Sequence, residues 1–167
     1  AARAKIGATC AKAMQDMKTA HTSALEDPGS YDLIVRTGRN RSTTETDGVV
    51  SERVLDVESI AVCSPDFLAL HPQARSVEGL LQLPLIHAEL RPDDWDRWLE
   101  SANARASVGQ RGMVLESLTL AYNAALWGVG VAIGVHSFVA ADIAAGRLVQ
   151  PVDHVRRSES GFNMFYS

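Results

Sequence analysis

Apolar and polar positions along the chain switch repeatedly between a period near two and a period near 3.6. Tyr31-Asp-Leu-Ile-Val-Arg36 is a short β-branched run behind the turn-forming Asp27-Pro28-Gly29-Ser30. So brief and branched a run predicts a buried strand rather than a helix. Residues 54–63 predict a second, longer strand. At Ser64-Pro65-Asp66 the pattern turns helical. A hydroxyl able to accept a first-turn N–H precedes a proline at the first helical position and an acid at the positive end of the helix dipole. His71-Pro72 ends that helix early, because the residue before proline is pushed out of the helical region. Ser76-Val-Glu-Gly-Leu-Leu81 repeats the cap and the acid, and Leu83-Pro-Leu-Ile-His87 predicts a strand.

Asp93 and Asp94 open a helix in which Trp95, Trp98 and Leu99, at i, i+3 and i+4, form one apolar stripe. Leu118, Ala121, Tyr122 and Ala125 keep helical spacing as far as Gly128, a natural C-terminal stop. A buried strand over 129–133 is followed by a helix over 138–145, with Ser137 as its cap and Gly146 as its end. A strand over 148–152, a polar loop and a final strand over 162–166 complete the pattern. Strands alternating with helices predict an α/β fold with a largely parallel sheet.

Composition narrows the classes. The chain has 167 residues, enough for one domain or two small lobes. A hydrophobic fraction of 46%, a charged fraction of 22% and a mean hydropathy of -0.03 exclude disorder and fibre. Lys and Arg number 16 against 20 Asp and Glu, for a net charge of -4. That lacks the basic excess of a nucleic-acid clamp, so DNA contact is expected elsewhere. Cys10 and Cys63 supply neither a disulfide framework nor metal-ligand spacing, which predicts buried thiols in a reducing compartment. No window holds the ~18 uninterrupted apolar residues of a membrane span. The opening Ala1-Ala-Arg-Ala-Lys-Ile6 lacks the apolar stretch of a signal peptide, so a cytoplasmic location without a membrane partner is expected. The chain starts without Met and stops at Asn163-Met-Phe-Tyr-Ser167, inside a strand, so both ends read as cut.

Candidate chemistry is sparse. Gly128-Val-Gly130-Val-Ala-Ile-Gly134 invites a dinucleotide reading, but its glycines follow a helix and lead into a strand, the reverse of the phosphate-binding order. A helix stop and a tight turn explain them without a nucleotide, and no cofactor is expected. His21, His71, His87, His136 and His154 lack metal-ligand spacing, so no metal is expected either. Asp93, Asp94, Asp96 and Glu100 suit a solvated helix start. Arg36, Arg39 and Arg41, with Thr37 and Gly38 between them, follow the first strand. They fit either an anion site at a strand's C-terminal end or surface pairs with Glu45 and Asp47. Ser64, Ser117 and Ser137 cap helix starts, and such starts attract anions when they face a cleft.

Taken in order, Tyr31-Asp-Leu-Ile-Val-Arg-Thr-Gly38, Val62-Cys-Ser-Pro-Asp-Phe-Leu68, Leu85-Ile-His87, Trp95-Asp-Arg-Trp98, Leu126-Trp-Gly-Val-Gly-Val-Ala132 and Ala145-Gly-Arg-Leu-Val149 resemble one family. The chain is similar to the effector-binding domain of LysR-type transcriptional regulators over about 31–167. The resemblance implies a two-lobed type II periplasmic-binding-protein-like fold, truncated at both ends, with a small-molecule site between lobes. It implies lobe I over 1–62, lobe II over 63–137 and a return to lobe I over 138–167. It further implies an effector-sensing, oligomerising domain, dimeric or tetrameric, with no catalysis. DNA is then reached through an N-terminal winged helix-turn-helix that this sequence lacks. By position, Thr9, Arg36, Thr37, His87, Ser117, Gly134 and His136 line the cleft, with Gly134 to His136 at the return hinge. The arginines and capped helix starts suggest an anionic or zwitterionic effector. Residues 1–29 match the family poorly, although Lys5-Ile-Gly-Ala-Thr-Cys10 can serve as an opening strand. Two other classes stay open, a free-standing solute-binding protein of a transporter and a small α/β hydrolase using Ser137 or His136.

Overall fold

The computed structural model describes residues 33–38, 44–46, 49–104 and 112–166, with side chains over 52–104 and 112–164. Its strands are β1 (Leu33–Gly38), β2 (Thr44–Thr46), β3 (Val49–Val62), β4 (Leu85–Ala88), β5 (Met113–Leu115), β6 (Val131–Val135) and β7 (Arg156–Tyr166). Its helices are α1 (Pro65–Leu70), α2 (Val77–Leu80), α3 (Asp94–Ser101), α4 (Leu118–Leu126) and α5 (His136–Ala144), with a 3₁₀ turn at Pro72–Arg75. Contacts divide the chain into two units, Ala1–Leu55 with Ser160–Ser167, and Asp56–Glu159.

In the first unit β1 pairs antiparallel with the end of β7, from Leu33↔Tyr166 to Gly38↔Gly161. There too β2 pairs antiparallel with the start of β3. Gly161 is required by crowding, since a Cβ on it would lie 2.6 Å from the Leu55 carbonyl oxygen.

The second unit is a sheet covered on both faces. Within it β3 runs antiparallel to β6, while β6, β4 and β5 are parallel to one another. Period-two alternation sends Ile60, Val62, Ile86, Ala88 and Ala132 to one face, against Ala121, Ala124 and Ala125 of α4 and Val139 of α5. Ala61, Cys63, Leu85, Val131 and Ile133 face the other way, onto Phe67 and Leu68 of α1, Leu80 of α2 and Trp95, Trp98 and Leu99 of α3. Two covered faces explain why these strands read as nearly unbroken apolar runs. The expected stripe on α3 is buried, and Trp95 anchors it by donating from Nε1 to the Ile86 carbonyl at 3.0 Å.

Capping hydroxyls account for three of the helix starts. Ser64 accepts from Phe67 N–H at 3.1 Å, Ser76 from Gly79 N–H at 3.1 Å and Ser117 from Leu120 N–H at 3.3 Å. Gly128 has φ +74 just past α4, and a Cβ on Gly130 would lie 2.3 Å from the Pro84 carbonyl oxygen. Those glycines therefore serve a left-handed turn and a close backbone approach, not a phosphate.

Three expectations are corrected. The sheet is mixed rather than largely parallel, because periodicity identifies a strand without giving its direction. Ser137 does not cap α5: β6 runs into that helix without a loop, so Val135 occupies the cap position and Ser137 is an exposed first-turn residue. Residues 148–152 form no strand beyond one Cys63↔Val149 bridge, with Pro151 unable to extend a ladder. Residues 138–159 belong with the second unit, where Val139 packs over Gly134 and Val149 bridges Cys63. The chain leaves the second unit between Glu159 and Ser160.

Candidate functional site

The parallel strands β4, β5 and β6 all end on one edge of the second unit. The sequence step from β4 to β5 goes to one side of β4, and β6 lies on its other side. An edge at such a reversal is where open α/β sheets bind ligands, because the connections leave in opposite directions and the strands part. Here the β4–β6 ladder runs through Leu85↔Val131 and Ile86↔Ala132. Farther along, Tyr122 of α4 reaches in, and its hydroxyl accepts a 3.0 Å bond from the Val135 N–H.

That bond leaves the phenol proton available, and it finds no acceptor among the described residues. Burial pushes the Tyr122 hydroxyl up from 10.0 to about 12, against smaller opposing effects of the Val135 bond and the Arg91 charge. It is therefore a donor at neutral pH. Beside it Arg91 holds Asp94 in a two-pronged ion pair, with Nε to Oδ2 at 2.7 Å and Nη2 to Oδ1 at 2.9 Å. The forked geometry fixes both side chains at the start of α3. Arg156, the first residue of β7, lies in the field of the same pair. Its ionised form is weakened first by desolvation and then by the Arg97 charge.

The residues expected from the sequence are distributed as follows. Thr9, with Cys10, Arg39 and Arg41, lies outside the described residues. Arg36 and Thr37 are in β1 of the first unit, in register with Asn163 and Phe162; their side chains are outside the described part. His87 is buried in β4, in register with Val114 of β5, one position below the strand end. Ser117 caps α4 at the same edge, and His136 is the exposed first residue of α5. Gly134 sits inside β6 opposite Ile60, where a Cβ would lie 3.2 Å from a Val139 methyl, so its smallness serves helix packing. The second unit thus gathers His87, Ser117 and His136 at one edge. The residues that hold protons and charge there are Tyr122, Arg91, Asp94 and Arg156, which the pattern had assigned to a helix face, a helix start and a loop.

A hydrolytic pairing of His136 with Ser137 has no geometry behind it, since consecutive helical residues point in different directions. Among the described residues no cluster of His, Cys, Asp and Glu is arranged to hold a metal. No helix among them is long and apolar enough to cross a membrane.

The family model described as the LysR substrate binding domain matches residues 14–167. The chain belongs to that family. Among curated proteins this LysR domain is similar to the HTH-type transcriptional regulator TrpI of Pseudomonas aeruginosa, 39% identical over 100 residues, 60% of this chain and 32% of the relative. PtxR of the same organism is 32% identical over 136 residues, 81% of this chain and 42% of the relative. The Escherichia coli glycine cleavage system transcriptional activator is 28% identical over 115 residues, 69% of this chain and 37% of the relative. The LysR domain here therefore spans well under half the length of these regulators. Among solved structures, the effector domain of AmpR of Pseudomonas aeruginosa gives a TM-score of 0.63 at 22% identity, covering 81% of this chain and 61% of that one. Full-length AphB of Vibrio cholerae gives 0.63 at 21% identity, covering 84% and 46%. These likenesses show the fold, the type II periplasmic-binding-protein-like architecture of LysR effector domains.

Proposed function

We propose that this LysR domain senses a small anionic or zwitterionic effector and oligomerises, as the ligand-reading part of a cytoplasmic transcription regulator. The observation that carries the reading is the edge where β4, β5 and β6 end. A protonated Tyr122, a fixed Arg91–Asp94 pair and the start of α4 stand there together, on a chain of the LysR substrate binding family. Effector occupancy would shift the populations of subunit arrangements and so alter DNA geometry. DNA contact is assigned to a helix-turn-helix of the kind named in the curated relatives, in keeping with the net charge of -4 on this chain. No catalytic role is assigned. A transporter solute-binding protein has less support, since the relatives named above are all transcriptional regulators.

The test is a thermal-shift survey of the purified chain against small carboxylates and amino acids. A ligand at about 100 times its Kd stabilises by roughly 2.7 kcal/mol. At roughly 2–4 °C per kcal/mol for a chain of this size, Tm should rise by about 5–10 °C. A flat response to every compound ends the reading.

A further inference from the structure

Glu58, Ser59, Arg156 and Arg157 sit on two neighbouring strands, β3 and β7, within the second unit. Glu58 of β3 and Arg157 of β7 form a 3.0 Å ion pair on one face of these adjacent strands. Strand alternation then places the next positions, Ser59 and Arg156, together on the opposite face. Ser59 is in turn in register with Val135, whose N–H the Tyr122 hydroxyl accepts.

Ser59 is 1% exposed, and its Oγ has no hydrogen-bond partner among the described residues. A buried hydroxyl without a partner is uncommon and costs about 1–3 kcal/mol, so its retention points to a partner that comes and goes. Arg156 is only partly exposed and forms no ion pair with a described residue, in contrast to Arg91, Arg97, Arg147 and Arg157, which each hold a carboxylate. Asp94 is the obvious counter-ion, yet both its oxygens are taken by Arg91. A partly desolvated guanidinium in the field of Arg97 and Arg91, which Asp94 and Glu100 offset only in part, is an arrangement that an added anion would relieve.

We infer that Arg156 and Ser59 hold the carboxylate of the effector, the guanidinium by a charge-assisted bond and the hydroxyl as a donor. The inference rests on the effector-binding reading given above. It assigns the anion to the second unit, at the start of the final strand.

The experiment uses matched pairs of small organic acids and their primary amides, glycine with glycinamide and benzoate with benzamide among them, titrated calorimetrically into the purified chain. For any pair that binds, the acid should bind more tightly than its amide. Arg156→Gln should weaken the acid by about 10- to 100-fold and leave the amide within a few-fold. Ser59→Ala should weaken the acid by a smaller factor. Without ligand, Arg156→Gln should melt at the same temperature as the parent or higher, because it removes a partly desolvated cation that lies among other arginines; Arg156→Lys should keep part of the acid preference. Equal binding of acid and amide, or an acid preference that survives in Arg156→Gln, overturns the assignment while leaving effector binding intact. A lower unliganded Tm in Arg156→Gln also overturns it, since the residue would then be structural. Silence from every pair overturns effector binding itself and the assignment with it.

Discussion

Replacing Tyr122 with phenylalanine removes one oxygen and almost no volume, so it isolates the hydroxyl that accepts from Val135. Val135 is 1% exposed, and its N–H loses this partner in the variant. A buried donor left unsatisfied costs about 1–3 kcal/mol, partly offset because a phenyl ring is easier to bury than a phenol. The expected loss is therefore about 1–2 kcal/mol, or roughly 2–8 °C in Tm for a chain of this length. The alkaline limb carries the sharper signature. Folding raises the Tyr122 hydroxyl from 10.0 to about 12, so the folded state holds a proton that the unfolded state releases. The sign follows: this stability is fully present below about pH 10 and is lost as pH rises from about 10 through about 12. Two units correspond to roughly 3 kcal/mol at most. Urea denaturation of parent and Tyr122→Phe at a series of alkaline pH values should show the parent's advantage shrinking above about pH 10, while the ultraviolet tyrosinate titration of the variant loses its latest component. A gap between the two proteins that stays constant with pH, or equal melting at neutral pH, refutes the placement of this hydroxyl at the end of β6.

Other substitutions test the frame around the site. Gly130→Ala should cost about 1–3 kcal/mol, because its Cβ meets the Pro84 carbonyl oxygen at 2.3 Å and backbone cannot swing aside. Gly146→Ala, at φ +70 with nothing within 4 Å, should cost only the left-handed strain of about 1 kcal/mol; equal losses in chemical denaturation would remove the distinction. Ser64→Ala should lose about 1 kcal/mol by freeing the Phe67 N–H, and Ser64→Thr should retain most of it. Cys63 is fully buried, and burial pushes its thiol up to about 11, so alkylation mapped by mass spectrometry should be negligible at neutral pH until denaturant is added. Rapid labelling of native Cys63 would contradict its position between β3 and α1.

Much of the second unit is legible residue by residue. Ser64, Ser76 and Ser117 announce helices because a capping hydroxyl acts within three residues of itself. The apolar spacing of Trp95, Trp98 and Leu99 announces the buried face of α3 for the same reason of locality. Strand direction, the three-residue β5 and the extent of the second unit are not local properties, and these went unread or were misplaced. Ser137 misled because β6 joins α5 without a loop, so a competent cap residue fell inside the helix. Tyr122 has the spacing of a core residue, and only the parting of β4 and β6 turns its hydroxyl toward the sheet edge. A tyrosine on a helix otherwise built of Leu, Thr, Asn and Ala was the available signal. Arg156 lay in a stretch with no periodicity, and its lack of an ion-pair partner appears only in three dimensions.

One consequence concerns the order in which the chain folds. Every pairing inside Asp56–Glu159 is made by residues of one continuous stretch, whereas the first unit needs Leu33 to meet Tyr166 across all of it. Closing so long a loop is entropically slow, while the nearer contacts of the inserted stretch form early. During synthesis this stretch can be complete on the ribosome before the end of β7 has emerged. Pulse-labelled hydrogen exchange should therefore protect Ile60, Ile86 and Val131 ahead of Ile34, and a chain cut after Glu159 should keep the first set while losing the second.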